Sequence, residues 1–285
     1  MTINLLKEEV LDQDLCTGCG ACSLACPTQV IQFDKDLVIP ILNFESDGCI
    51  GCDDCYKVCP GADPETEISE DALFGRSRTA EERWLGILKG AYGGTSKVPE
   101  IQQASSSGGA ATTILIQSQK SLNVEFVLTM GRNRDEGWRA ASEIATASDQ
   151  ITGNAQSTYQ LAPYLQTLRP LFESNRDSKI AIVGLACHMQ AVRKMQRLSG
   201  AVGDWARSSI VLLVETACSS NTLPSGTKKI LSDRMKIDPS EVKMCDFVQV
   251  LILGDLRPHS EMTQVSQRNF GKFSIFSRRI KHIAA

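Results

Sequence analysis

The 285-residue chain is 42% hydrophobic and 22% charged, a balance that can bury one large core or two ordinary ones and excludes a mainly disordered polypeptide. Thirty Lys and Arg against 33 Asp and Glu leave a formal net charge of -3, so no global positive field exists to gather nucleic acid or anionic lipid. Lys7, Glu8 and Glu9 interrupt the place where a signal peptide keeps its apolar core, and no apolar run reaches the roughly 18 residues of a membrane span. The expectation is a soluble cytoplasmic protein with no transmembrane segment and no nucleic-acid partner.

Eight of the 11 cysteines lie between Cys16 and Cys59, and they repeat. Residues 16–27 read CTGCGACSLACP and residues 49–60 read CIGCDDCYKVCP, so the unit C-x2-C-x2-C-x3-C-P occurs twice. Three thiolates at this spacing curl round one corner of an iron-sulfur cube, while the fourth, held before Pro, serves the other cluster. The pattern assigns Cys16, Cys19, Cys22 and Cys59 to one [4Fe-4S] centre and Cys49, Cys52, Cys55 and Cys26 to a second. Gly18, Gly20, Ala21 and Gly51 leave room for backbone N–H groups to approach the sulfides. Zinc fits less well, because each run crowds in more sulfur than one tetrahedral ion needs. Disulfides fit poorly too, since the total is odd and the chain carries no sign of secretion. Val30 to Phe33 reads as a short strand covering the clusters.

Gly, Pro and charge between Gly61 and Asp71 mark a linker, and Glu81 to Leu88 starts a short helix that Gly86, Gly90, Gly93 and Gly94 break off. Ser105 to Gly109 is a loop opening an apolar helix from Ala110. Strands at 124–128, 180–184 and 210–214 alternate with helices at 161–172, 188–198 and 223–236, and the strands are apolar throughout, as in an α/β layer covered on both faces. Asp238 to Glu241 forms a turn and helix start, residues 248–253 form a further strand, and the last 40 residues show no clear period.

The Ser/Gly loop reads either as an ordinary helix cap or as a turn whose free N–H groups receive a phosphate or pyrophosphate. A flavin suits the second reading, because it joins one-electron clusters to two-electron chemistry. Cys187 follows one strand and Cys218 another, where open α/β sheets place their sites. They are either small buried hydrophobes or, with Cys245, part of a third cluster site. His188 orients a flavin or caps the helix after it.

The doubled cysteine unit, Gly90 to Gly94, Ser106 to Ala110, Ser157 to Tyr159 and Gly184 to Ala191 together resemble the coenzyme F420 hydrogenase/dehydrogenase beta-subunit family, in matching order over residues 1 to about 245. The resemblance implies a flavoprotein with FAD held around Ser106, Ser107, Gly108, Gly109, Tyr159 and His188, and a third [4Fe-4S] cluster near the flavin bound by cysteines such as Cys187 and Cys218. Ala186 stands where the family commonly has Pro. After Cys245 the usual Gly-rich and cysteine-containing continuation is absent, so the tail is expected to be divergent or truncated.

The resulting expectation is an α+β protein: a two-[4Fe-4S] ferredoxin-like domain at 1–62, a linker at 63–100, an α/β FAD-binding catalytic domain at 101–245 and a divergent tail at 246–285. Its function would be to relay electrons between [4Fe-4S] clusters and FAD, with hydride exchange to coenzyme F420 or a related small redox substrate, alongside a redox partner protein or the other subunits of an oxidoreductase complex. The alternative is an electron-transfer subunit that links ferredoxin to a partner enzyme and performs no substrate chemistry.

Overall fold

The computed structural model describes residues 2–42, 48–63 and 66–243; Cys245, the strand expected at 248–253 and the tail at 246–285 lie outside the described residues. The chain begins with α1 (Thr2–Leu6), continued by a π-turn at Lys7–Leu11, then α2 (Ala21–Ala25), β1 (Ile31–Phe33), β2 (Pro40–Leu42) and α3 (Asp54–Lys57). Both short helices start the same way, at a residue in the left-handed region: Gly20 at φ 81° before α2 and Asp53 at φ 66° before α3. Pro27 ends α2 by forcing Cys26 out of the helical region, to φ -69° and ψ 114°. β1 and β2 pair antiparallel, with Ile31 opposite Leu42.

Beyond these come α4 (Thr66–Phe74), α5 (Pro99–Ala104), α6 (Ala110–Ser121), β3 (Phe126–Arg132), β4 (Ala140–Ala145), α7 (Ser148–Gly153), α8 (Arg169–Ser174), β5 (Ile180–Gly184), α9 (Ala186–Arg197), α10 (Ala201–Ser209), β6 (Ile210–Glu215) and α11 (Pro224–Lys229). A four-stranded sheet runs β4-β3-β5-β6, with β3, β5 and β6 parallel and β4 antiparallel at the edge. The period of two in β5 divides its side chains between two cores: Ile180 and Ile182 face α9 and α10, while Ala181 and Val183 face the side of Leu115 on α6 and Ile151 on α7.

The cysteine unit and the sheet share a core. Ala21, Leu24, Ala25 and Val58 lie in one apolar cluster with Leu128, Leu165, Ile180, Ala191 and Val192, and burying a side chain such as Leu24 contributes about 1.5–3 kcal/mol. A smaller cluster gathers Leu6, Val10 and Ile31 around Cys22, Cys26, Cys55 and Cys59.

Several elements differ from the sequence reading. The helix expected over 161–172 is a 3-10 turn at Tyr164–Leu168 followed by α8, because Pro163 and Pro170 each remove a donor and restrict the residue before them. The helix at 81–88 is only a 3-10 turn at Glu81–Arg83, with Gly86 turning left-handed at φ 72°. The helix at 223–236 divides into α11 and a π-turn at Ile230–Arg234. β4 was missed, since Ala-Ala-Ser-Glu-Ile-Ala is a poor strand former by itself. The segment 63–100, read as a linker, contains α4, whose Glu70 is gripped by the Arg78 guanidinium.

Candidate metal centres and cofactor cavity

Among the eight N-terminal cysteines, the fold groups the thiols across the two repeats. Burial pushes the Cys22 thiol well above its usual value, and the neighbouring Cys19, Cys59, Cys16 and Cys55 sulfurs add to it. Cys19 rises to about 12 through burial, with Cys59 and Cys187 as charged neighbours if ionised. Burial likewise takes Cys55 to about 12, and there the neighbours are Cys26, Cys52 and Cys49. A small cavity is lined by those same four residues, Cys26, Cys49, Cys52 and Cys55, together with Asp53, whose Oδ1 is buried without a hydrogen-bond partner. Crowded, buried thiols resist ionisation unless a cation takes up their charge, and iron does so directly. The residues present therefore fit two clusters, with Cys16, Cys19, Cys22 and Cys59 as the inner set and Cys26, Cys49, Cys52 and Cys55 as the outer. Among the described residues no three His, Cys, Asp or Glu converge on the position of a single metal ion.

The inner set sits against the sheet unit. Leu165 N–H donates to the Cys19 carbonyl at 2.8 Å. A Cβ on Gly20 would lie 2.8 Å from the Pro163 carbonyl and 2.9 Å from Gln166 N, so glycine permits the close approach there. Between these residues, fully buried Tyr164 shares its one hydroxyl proton between the Leu128 carbonyl, at 2.8 Å, and the Val183 carbonyl, tying β3 to β5.

On the other side of Tyr164 lies a cavity of about 590 Å³ at the C-terminal ends of β5 and β6, the position at which open α/β sheets bind ligands and a volume usual for a small-molecule site. Of the residues assigned to a flavin from the sequence, Ser106, Ser107, Gly109, Tyr159 and His188 line it, whereas Gly108 does not. Gly108 instead makes the turn that holds Ser96, through the Ser96 N–H to Gly108 carbonyl bond of 2.7 Å. Gly109, at φ 76°, starts α6, and Ser106 Oγ accepts from Ser157 N–H at 3.1 Å, fixing the loop to the opposite wall. Ser105 Oγ, also on the lining, is buried without a hydrogen-bond partner. A polar group arriving in the cavity would satisfy it, so the lining fits a ligand that brings a hydrogen-bonding group, such as a phosphate oxygen, to the start of α6.

Of the two roles read for His188 from the sequence, the structure shows the helix cap and places the ring on the cavity lining. Its Nδ1 accepts from Leu185 N–H at 3.1 Å, which caps α9 and leaves the ring proton on Nε2. Burial pulls its pKa down to about 4, and the ring stacks on Tyr164 with centroids 4.6 Å apart. Cys218 lines the cavity, and Cys187 lies in the first turn of α9 within electrostatic range of both Cys218 and Cys19.

The sequence reading missed two cations that reach into the cysteine unit. Lys194 Nζ, on a side chain only 3% exposed, donates to the Cys59 carbonyl at 2.9 Å and the Asp63 carbonyl at 2.6 Å. Arg169 donates to the Cys26 carbonyl at 2.8 Å and the Leu24 carbonyl at 3.0 Å. For Lys194 a signal existed: it falls seven residues after Cys187, on the same helical face, beside the apolar positions Ala191, Val192 and Met195. Arg169 offered none.

Comparison with known proteins gives a consistent picture. Residues 15–62 match the model of the 4Fe-4S dicluster domain, residues 91–169 the N-terminal model of the coenzyme F420 hydrogenase/dehydrogenase beta subunit, and residues 177–281 its C-terminal model. The likeness thus continues well past residue 245, which corrects the expectation of a truncated tail at 246–285; a tail short of further cysteines still falls within the matched region. A subunit of the F420H2 dehydrogenase of Methanosarcina mazei is 23% identical over 250 residues, covering 85% of this chain and 64% of that protein. The beta subunit of the coenzyme F420 hydrogenase of Methanosarcina barkeri is 22% identical over 169 residues, covering 59% and 57%. A xenon-derivatised structure of the F420-reducing [NiFe] hydrogenase complex from Methanosarcina barkeri aligns with a TM-score of 0.46 at 23% identity, over 53% of this chain and 52% of that one. The chain spans less than two thirds of the length of each of these relatives. Among the described residues, no helix is long and apolar enough to cross a membrane.

Proposed function

Since the chain belongs to the coenzyme F420 hydrogenase/dehydrogenase beta-subunit family and carries a 4Fe-4S dicluster domain, we propose that it is an iron-sulfur flavoprotein oxidoreductase. Two [4Fe-4S] clusters would relay electrons to and from FAD in the cavity, with hydride exchange to coenzyme F420 or a related acceptor. The observation that carries this reading is the contact between the inner cysteine set and the cavity wall. The Cys19 carbonyl takes the Leu165 N–H, and the adjacent Tyr164 lines the cavity.

The order of burial supports a direction for the relay. Cys49 of the outer set is exposed and Cys19 and Cys22 of the inner set are buried, so a redox partner meets the outer cluster first, and the inner one hands on to the cavity. When bound, the flavin supplies the exchange between one-electron and two-electron chemistry. The chain's own part is to hold it. The N–H groups of Ser106, Ser107 and Gly109 and the positive end of the 12-residue α6 would receive pyrophosphate, and His188, neutral at ordinary pH, would offer its Nε2–H to an acceptor on the ring. Choosing F420 as the acceptor rests on the names of the relatives. Their place in hydrogenase and dehydrogenase assemblies likewise supports complex subunits as partners.

The test is anaerobic purification with iron, sulfide and flavin counted per chain, followed by assay of F420 reduction. About eight irons with one flavin and F420 turnover support the proposal. Eight irons without flavin would leave the electron-transfer subunit as the reading, and about twelve would add a cluster at Cys187 and Cys218.

A further inference from the structure

The two fourth cysteines of the repeats, Cys26 and Cys59, are the residues that cross from one cluster set to the other. Each has its backbone carbonyl capped by a cation from the sheet unit. Lys194 of α9 reaches the Cys59 carbonyl at 2.9 Å, and Arg169 at the start of α8 reaches the Cys26 carbonyl at 2.8 Å. The equivalence is not one of sequence, because one cation is Lys and the other Arg, on different helices. It is one of position: both lie where α2 or α3 ends and its last carbonyls point outward, which favours a positive charge.

We propose that Lys194 and Arg169 are a matched pair of potential-setting residues, Lys194 for the inner cluster and Arg169 for the outer. This rests on the two-cluster reading above. Cluster potentials respond to nearby charge, hydrogen bonding and burial. Reduction adds negative charge to a cluster already made negative by four thiolates, so a fixed cation beside a ligand stabilises the reduced form more than the oxidised one. At Lys194 the effect operates in a site almost closed to water, where charge is poorly screened. At Arg169 it is damped, because Glu173 Oε1 sits 2.7 Å from Arg169 Nε and also accepts from Gln29 Nε2 at 2.9 Å. The carboxylate should therefore act on the outer cluster with the opposite sign to the guanidinium. Through α9 the same arrangement joins the inner cluster to the cavity, since Cys187 and His188 occupy the first turn of the helix that carries Lys194 two turns later.

The experiment is an anaerobic redox titration of the full chain with its clusters assembled, followed by EPR, on the wild type and on Lys194→Met, Lys194→Gln, Lys194→Arg, Arg169→Gln, Arg169→Lys and Glu173→Gln. Lys194→Gln and Arg169→Gln keep a hydrogen-bond donor and remove the charge. Each neutral variant of Lys194 or Arg169 should lower the reduced-to-oxidised ratio of one cluster by about three- to tenfold at fixed ambient potential, tenfold being about 59 mV for a one-electron couple, and leave the other cluster unmoved. Lys194→Arg and Arg169→Lys should titrate like the wild type. Glu173→Gln should raise the ratio for the cluster that Arg169→Gln lowers. Unmoved potentials in the neutral variants, or equal movement of both clusters in each, would overturn the proposal. Loss of iron from both neutral Lys194 variants would make Lys194 a structural clamp and overturn its tuning role. A wild-type chain that assembles no [4Fe-4S] cluster would sink the two-cluster reading itself, an outcome separate from all of these.

Discussion

Gly20→Ala tests the contact between the inner cysteine loop and the cavity wall. Two costs add there. Gly20 has φ 81°, and an L-residue in the left-handed region costs about 1–2 kcal/mol. The new methyl would also lie 2.8 Å from the Pro163 backbone and 2.9 Å from Gln166 N, an overpacking that costs about 1–3 kcal/mol. Together they predict a loss of about 2–5 kcal/mol, which at a urea dependence near 3 kcal/mol per molar lowers the midpoint by about 0.7–1.7 M. Two further glycines separate the terms. Gly75 has φ 66° with nothing within 4 Å of a Cβ, whereas Gly61 lacks the positive φ but would place its Cβ 2.4 Å from the Leu15 carbonyl. Gly75→Ala reports the backbone cost alone and Gly61→Ala the steric cost alone. The assay is anaerobic urea unfolding followed by the fluorescence of buried Trp138 and Trp205. A Gly20→Ala midpoint no lower than that of Gly75→Ala would refute the close approach, and with it the shared core that brings the inner thiols to the cavity.

The crossed ligand sets predict that Cys59→Ser, though in the second repeat, frees Cys16, Cys19 and Cys22 for alkylation and leaves about four irons, while Cys26→Ser frees Cys49, Cys52 and Cys55; mass-spectrometric mapping of alkylated thiols decides, and labelling confined to the mutated run would mean each repeat holds its own cluster. Gly109→Val places a branched side chain at φ 76° with its Cβ 2.7 Å from Ile101 Cγ2 and 3.1 Å from Ser105 Oγ, so flavin per chain should fall about tenfold or more, for a cost above about 1.4 kcal/mol, with iron unchanged; equal flavin content would place the cofactor elsewhere. Gln160→Leu strands the Ala140 N–H, which Gln160 Oε1 accepts at 2.7 Å, and breaks the 2.8 Å bond from Nε2 to Thr227 Oγ1. A loss of about 1–3 kcal/mol in urea unfolding is expected from the stranded N–H.

The cysteine repeat could be read directly because cluster ligands are set by spacing over a dozen residues, and the chain's own curl brings three of every four together. The parallel strands β5 and β6 were legible for a similar reason: an apolar run with no charge has few other places to go than the middle of a sheet. Ser105 to Gly109 also announced itself, as small residues before an apolar helix. Other elements depended on partners far away in the chain. β4 exists because β3 offers it an edge, and the segment before α8 winds as a 3-10 turn because Pro163 and Pro170 bracket it. Gly108 was indistinguishable from Gly109 in sequence, yet one holds Ser96 and the other opens the cavity.

From its sequence alone, then, the chain determines the chemistry it has available: eight thiols in two repeated runs, a Ser/Gly loop opening a helix, and a layer of strands apolar enough to be covered on both faces. Only the tertiary structure decided how these parts meet. It put α2 into the core of the sheet, set Tyr164 between the inner thiols and the cavity, and brought Lys194 and Arg169 to the carbonyls of Cys59 and Cys26 across separations of 135 and 143 residues. Ligand spacing is a local property of the backbone, whereas the contacts between units arise when apolar faces distant in sequence bury each other, and no window of the sequence contains both partners.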